Sequence, residues 1–573
     1  MVSSLATLCN KRCNISFFKT MDIRAKFSYS SSEYMSELPQ IFTRMGMNRF
    51  GESFFNSTTT ELMLKNHLEK FTIIDFSMIC LLYSFLVLNC IGSAITAHEN
   101  FKGNFPKQFI PKGSVKKKKK SQDCITQHQD LILLDWIAKC KEFLNCFCLF
   151  TNTRNLLNTK PARGNISCLH GLRFISQFWI IFCHVGGQMF YTAISNFSGH
   201  MYFLDTYCYR IGTLVIFHSV DTFFLLSGML NAFSFFQNET KNERKSWFHY
   251  YAHRFFRLTP LYMVILGFYT SLFPKIIGSG PLWSPYPGER TCRKHWWRNM
   301  LYISNIWPVT EMCMVWSWFL STDMQFYIIS PVFLITMKRW PTIRNAVLLL
   351  LICGTILANF IITCNLKLPN FLFHMYLNLE QKTAYSLYIE KLLKYYDHVY
   401  VMPYMRMAPY IIGMGTAYYV YRWQKKQIKF SKACLCCGYT ISTILLLYSF
   451  LGISWGQPSI LQASLYNALN QVSFAIVVAW LILVSITGQG GIVSKILSSK
   501  IWIPGSRLSY CAYLIHPLFM FGYFTSLTEP IEFSYTTMLS TMCWLTLGSF
   551  GVALVIHLLI ECPITRLEKL LCK

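Results

Sequence analysis

Cys168-Leu-His-Gly-Leu-Arg-Phe-Ile-Ser-Gln-Phe-Trp-Ile-Ile-Phe-Cys-His-Val-Gly-Gly-Gln-Met-Phe-Tyr191 is long and apolar enough to cross a bilayer as one helix, which takes about 20 residues. Yet it carries Arg173 and His184. A helix turns about 100° and rises about 1.5 Å per residue, so His184 returns to within roughly 20° of Arg173, about 16 Å further along. His170, Gln177, Gln188 and Tyr191 fall on the same arc, and the other faces are Leu, Ile, Phe and Trp. Ionisable groups are costly in hydrocarbon, so such a stripe lines a protein interior or a wet cavity. Two readings follow. One is a structural arginine with a packed histidine. The other is a site, with an anion anchor at one end and a histidine near the bilayer midplane.

The whole composition agrees with a membrane assignment. The chain has 573 residues, 53% of them hydrophobic and 16% aromatic, with a mean hydropathy of +0.33. Several runs of spanning length make it an all-α, polytopic transmembrane protein. The formal charge of +27 does not point to nucleic acid, because basic loops against an anionic cytoplasmic leaflet account for the excess. The run Lys116–Lys120 reads as a solvated juxtamembrane stretch. The 22 cysteines form no pair of CxxC motifs at zinc-ribbon spacing, so no metal is expected, and most act as small hydrophobes in apolar spans.

Taken in order, residues 1–71 are polar and mixed, with no apolar run after Met1 to serve as a signal peptide. This segment is expected on the lumenal or extracellular side. A first span covers 72–96. Residues 97–168 then carry thirteen Lys/Arg against five Asp/Glu, which puts this loop in the cytosol. Its segment 131–150 is apolar but broken by Asp135, Lys139, Lys141 and Glu142, and reads as an interfacial amphipathic helix. A membrane domain follows over 169–560, with spans near 169–192, 211–236, 258–279, 315–337, 345–365, 405–422, 433–454, 468–488, 506–527 and 535–560. With the first, these make about eleven. Lys241–Arg257, Lys338–Arg344, Arg422–Lys432, Lys495–Arg507 and, within the cytosolic tail 561–573, the stretch from Arg566 are basic and predicted cytosolic, whereas the loop with Glu529 and Glu532 has no basic residue and is predicted lumenal. Loop 280–314 is then lumenal or extracellular. It holds Cys292 and Cys313, which form a disulfide on an oxidising side or stay as two free thiols.

Chemistry concentrates in a few strings. Arg254-Phe-Phe-Arg257 puts two guanidinium forks on one helix face at the cytosolic mouth of a span, a geometry suited to phosphate oxygens. Basic residues at such an end are also common without a ligand. Asp221, inside a span, has to be protonated or paired, and Ser227-Gly228 allows close helix approach. Asp323 lies near mid-span in Trp316-Ser-Trp-Phe-Leu-Ser-Thr-Asp-Met-Gln-Phe-Tyr327. It either orients His184, as a carboxylate orients a catalytic histidine, or pairs with an arginine. Ser509, Tyr513 and His516 share one face of the tenth span. His516 is then a second acid/base or a satisfied structural ring. Arg406 reads as structural.

Arg173, ten residues, then His184 resembles the signature of the acyltransferase-3 membrane family, and Cys168-Leu-His-Gly-Leu-Arg-Phe-Ile-Ser-Gln-Phe-Trp179 is similar to its animal, "nose resistant to fluoxetine" branch. The strings around Asp221, Arg254, Asp323 and His516 extend the resemblance, as do Cys292-Arg-Lys-His-Trp-Trp-Arg-Asn299, Pro403-Tyr-Met-Arg-Met-Ala-Pro-Tyr410 and Glu561-Cys-Pro563. It covers about 165–565 and implies a ten-helix core, with the first span outside it. Relative to the animal branch, a signal sequence and a cysteine-rich lumenal domain are expected to be missing. The implied reaction is transfer of an acyl group from a cytosolic thioester donor such as acyl-CoA to a hydroxyl of a small or lipid-like acceptor, with no bound cofactor. His184 is then the base, supported by Asp323 and His516. Arg173, Arg254 and Arg257 hold the donor, and Asp221, Ser509 and Tyr513 support the site. The rival reading is a non-catalytic lipid or drug transporter, since a mid-membrane histidine also suits a proton-coupled path. The expected location is the endoplasmic reticulum or plasma membrane, with the C-terminus cytosolic.

Overall fold

The structure, a computed structural model, describes residues 71–103, 135–136, 138–160, 166–189, 207–240, 246–277, 288–368, 390–426, 429–452, 459–527 and 529–571. The segment 1–70, the run Lys116–Lys120 and Tyr191 lie outside these residues. The described residues are helical, with no strand. Among the described residues, eleven helices have 20 residues or more: α1 (Ile73–Gly103), α2 (Cys168–Met189), α3 (Tyr207–Thr240), α4 (Trp247–Ser271), α5 (Trp318–Arg339), α6 (Arg344–Asn365), α7 (Pro403–Lys426), α8 (Lys432–Leu451), α9 (Ile460–Ile486), α10 (Trp502–Thr525) and α11 (Tyr535–Ile556). Each overlaps one span read from the sequence.

Among the described residues, eight helices are long and apolar enough to cross a membrane. The three long helices outside that set are α4, α7 and α10, which carry Arg254 and Arg257, Arg406, and His516. Arg254, Arg406 and His516 are polar groups that these helices bring inside the bundle, while Arg257 stays exposed. Part of the predicted interfacial helix also forms, since residues 138–146 are helical. The short helix Leu149–Leu157 follows.

Local sequence explains several helix starts. The hydroxyls of Ser246, Ser431, Ser459 and Ser534 accept backbone N–H groups at the heads of α4, α8, α9 and α11. Each cap contributes about 1 kcal/mol. Ser459 and Gln462 form a reciprocal capping box.

Helix α2 packs against α3 on one side and against α10 and α11 on the other. Helices α3 and α7 share the most extensive contact, and glycine makes it possible. A Cβ at Gly228 would stand 2.2 Å from the Tyr410 carbonyl oxygen, and one at Gly413 would stand 2.1 Å from that of Leu225. Only hydrogen fits at either place, so each backbone rests directly on the other. Helix α1 sits at the edge. Its few buried polar groups are tethers: Asp75 pairs with Lys275, and Asn89 Nδ2 donates to the Leu559 carbonyl at 2.9 Å.

The segment before α5 is pinned to α4. A disulfide joins Cys292 to Cys313, as the sequence suggested. Asn299 Nδ2 reaches Tyr262 Oη at 2.9 Å, the Cys313 carbonyl at 2.7 Å and Ser317 Oγ at 2.9 Å. These contacts fix the end of α5 from which Asp323 projects.

Candidate active site

The polar arc of α2 faces α10. At one end, His170 Nδ1 meets Ser506 Oγ at 3.0 Å. At the other, His184 Nδ1 meets His516 Nε2 at 3.0 Å, with the two rings 2° from parallel. Two apolar clusters include neighbours of the pair along both helices. Ile181, Ile515 and Leu518 belong to one buried cluster, and Val185, Met189, Met520 and Phe524 to another.

Hydrogen bonding assigns the tautomers. His516 is buried, and its Nδ1 lies 3.0 Å from the Ala512 carbonyl. A carbonyl only accepts, so Nδ1 of His516 carries the proton. In the neutral ring its Nε2 is then a bare acceptor. His184 must donate to it from Nδ1, which leaves Nε2 of His184 with its lone pair free. Pro517, the next residue, has no N–H to donate to the Tyr513 carbonyl. This turn of α10 thus has carbonyl capacity to spare for the imidazole. His184 keeps part of its surface accessible, and its Nε2 has no hydrogen-bond partner among the described residues.

Asp323 does not take the orienting role. Its Oδ2 pairs with Arg254 Nη2, and Arg254 also donates to Ser227 Oγ at 3.3 Å and lies 4.2 Å from the centre of the Tyr327 ring. The ring that backs His184 is His516, so a histidine stands where the sequence suggested a carboxylate. The physical reason is competition. A buried carboxylate is stabilised far more by a guanidinium than by a neutral imidazole. Asp323 Oδ1 and Arg254 Nε are buried without a hydrogen-bond partner, so the pair retains capacity for a further polar group.

The arginines regroup in consequence. Arg254 is neutralised by Asp323, whereas Arg257 is exposed and has no ion-pair partner among the described residues. Arg257 is close enough to act electrostatically on Arg173, which is half-buried and likewise has no hydrogen-bond or ion-pair partner among the described residues. Two unbalanced cations from different helices, Arg173 on α2 and Arg257 on α4, therefore face the same region. That arrangement suits an anion with several oxygens.

The remaining candidates are tethers. Ser509 Oγ donates to the Gly505 carbonyl of its own helix at 3.3 Å. Tyr513 Oη donates to the Trp316 carbonyl at 2.6 Å and ties α10 to the start of α5. Asp221 pairs with Arg406 Nη1 at 3.0 Å, both fully buried, and Arg406 Nε donates to the Tyr400 carbonyl at 3.0 Å. Of the two options, protonated or paired, Asp221 is thus paired, and its partner is Arg406. Both residues were visible in the sequence as charges inside spans, and their opposite signs were the overlooked signal.

Comparison with known proteins identifies the family of the chain. The model of the acyltransferase-3 family, described as an acyltransferase domain, matches residues 166–558. "Nose resistant to fluoxetine protein 6" of Caenorhabditis elegans is 31% identical over 459 residues, 75% of this chain and 54% of that protein. This chain therefore spans about half the length of that relative. "Regulator of hypoxia-inducible factor 1" of the same organism is 23% identical over 471 residues, 76% of this chain and 86% of that protein. No solved structure matches. The family match runs through α2, α4, α5 and α10, the helices that hold the histidine pair and the arginines, and the chain belongs to the acyltransferase-3 family.

Proposed function

We propose that the protein is a membrane-embedded O-acyltransferase that moves an acyl group from a cytosolic acyl-CoA-type thioester to a hydroxyl of a small or lipid-like acceptor. The observation that carries this reading is the free Nε2 of His184, aimed by the hydrogen bond from its Nδ1 to His516. In the proposed step the acceptor hydroxyl gives its proton to His184 Nε2 as its oxygen attacks the thioester carbonyl. The carbon–sulfur bond breaks, and the thiolate leaves with the proton returned by His184. Arg173 and Arg257 hold the phosphates of the donor, with Arg254, steadied by Asp323, at the border of that region. All eleven long helices cross the membrane in this reading. The basic loops and C-terminus are cytosolic, and the protein resides in the endoplasmic reticulum or plasma membrane.

A non-catalytic lipid or drug transporter is the second reading. It is favoured by buried polar atoms without hydrogen-bond partners on α3, α6 and α9: His218 Nδ1, Asn359 Oδ1, Asn467 Nδ2, Asn470 Oδ1 and Gln471 Oε1. One experiment separates the two. Purified protein is given labelled acyl-CoA and a panel of hydroxyl acceptors beside its His184→Ala form. Acyl product from the wild type and none from the variant supports the enzyme. Substrate binding with no acyl product from either supports the transporter.

A further inference from the structure

Cys511 lies five residues before His516 on α10, which turns it about 140° away from the histidine pair. It faces a separate buried cluster at the end of α11, where the chain passes through a π-helical turn, His557–Glu561. Cys511 Sγ is 2.9 Å from Glu561 Oε2, and the same oxygen is 2.6 Å from His557 Nδ1. Cys511 is fully buried, His557 is 8% exposed, and the Glu561 side chain is 13% exposed. One ligand atom from each of the three lies within 4.8 Å of the others. We propose that Cys511, His557 and Glu561 bind a divalent transition-metal ion of the zinc class.

Three independent features support a metal rather than a hydrogen-bonded core alone. The first is the donor set. Thiolate, imidazole and carboxylate are the usual protein donors to zinc, and three of them leave the fourth position of a tetrahedral ion to water. The second is charge. One thiolate and one carboxylate neutralise a dication, and a neutral cluster is what a low-dielectric interior tolerates. Binding releases the Cys511 thiol proton and the proton shared by His557 and Glu561. The third is the far side of the imidazole. His557 Nε2 stands 3.1 Å from Cys562 Sγ. With the proton on Nε2 donated to that sulfur, the Nδ1 lone pair points to Cys511 and Glu561. A metal-binding histidine commonly has such an outer partner.

The turn that presents these groups is itself braced. A π-turn shifts the hydrogen-bond register and often marks a functional position. The carbonyls of Leu559 and Leu558 accept from Asn89 Nδ2 at 2.9 Å and Asn152 Nδ2 at 3.5 Å. A bound ion would join this turn to α10, and so to the helix that aims His184.

The test is the metal content of untagged full-length protein purified in detergent, after incubation with zinc and dialysis. About one zinc per chain is expected. Cys511→Ser and Glu561→Gln should lose it, while Cys562→Ser should retain it with affinity weakened about 10–100-fold. Cobalt loaded into the wild type gives a readout that needs no variant, because a thiolate ligand produces a sulfur-to-cobalt charge-transfer band. No stoichiometric zinc and no such band in the wild type would overturn the proposal. So would zinc that persists in well-folded Cys511→Ser and Glu561→Gln proteins.

Discussion

Nδ1 of His184 and Nε2 of His516 stand 3.0 Å apart, on helices whose contact joins positions 332 residues distant in the chain. The contact sets which nitrogen of His184 is available. His516 in turn is held by the Ala512 carbonyl of its own helix. The ring proposed to transfer the proton is thereby oriented by a neutral partner instead of a carboxylate. The arrangement avoids placing a second charge beside the imidazole inside the bundle.

His184→Gln keeps a polar group of similar size but cannot shuttle a proton. Acyl transfer should fall about 10²–10⁴-fold. Donor binding should be unchanged. Steady-state rates with labelled donor, beside equilibrium donor binding, check this. Equal rates for the two proteins would remove His184 from the chemistry.

His516→Phe deletes the acceptor of the His184 Nδ1 proton, whereas His516→Gln retains an oxygen that can accept it. The first should lower kcat roughly 10²-fold with donor KM little changed, the size expected when proton transfer is impaired. The second should restore much of the loss. A purely structural His516 predicts equal damage from both, with a matching loss of thermal stability.

Arg173→Ala and Arg257→Ala should each raise donor KM while leaving the protein folded. A charge-assisted hydrogen bond contributes about 1.5–3 kcal/mol, so each loss corresponds to roughly 10–100-fold in affinity. Arg254→Ala should behave differently, because it strands Asp323 without its partner. Its signature is a lower melting temperature. Isothermal titration with the donor, beside thermal unfolding in detergent, distinguishes the two patterns.

Asp221 and Arg406 form a buried pair at 3.0 Å. Removing either partner leaves an uncompensated charge and should cost about 3–5 kcal/mol. The double substitution Asp221→Asn with Arg406→Gln should cost less than the sum of the single ones. A thermal-unfolding cycle measures the coupling, and strict additivity would mean that the pair does not act as a unit.

The sequons at Asn56 and Asn196 should carry glycan, and those at Asn165 and Asn238 should not. The charge pattern predicts a lumenal side for the first two and a cytosolic one for the last two. Asn14 joins the lumenal set if the N-terminus is translocated. Glycosidase mapping decides it, and glycan on Asn238 would invert the proposed topology.

Helix positions were the most legible part of this chain, because hydrophobic length and loop charge are local properties. The arc His170–Arg173–His184 also turns inward as its spacing requires. Partner choice was not legible. Nothing local in Trp316–Tyr327 says that Asp323 meets Arg254. The choice depends on which cation the packing of α4 against α5 brings within reach. The cluster of Cys511, His557 and Glu561 was hidden for the same reason. Its donors come from two successive helices, with Cys511 and Glu561 50 residues apart, and no short motif joins them. The Cys292–Cys313 bridge was easier, since both thiols lie in one loop.

The reciprocal seat of Gly228 and Gly413 constrains how the protein can move. Two backbones resting on each other's carbonyls cannot slide or roll without lifting apart, so α3 and α7 travel as one rigid body. Asp221 and Arg406 rivet the same two helices. Any opening that admits a substrate must therefore occur along another seam, and α2, with α10 and α11 on its far side, borders the nearest one. A cross-link engineered between α3 and α7 should leave turnover intact, while one between α2 and α10 should arrest it.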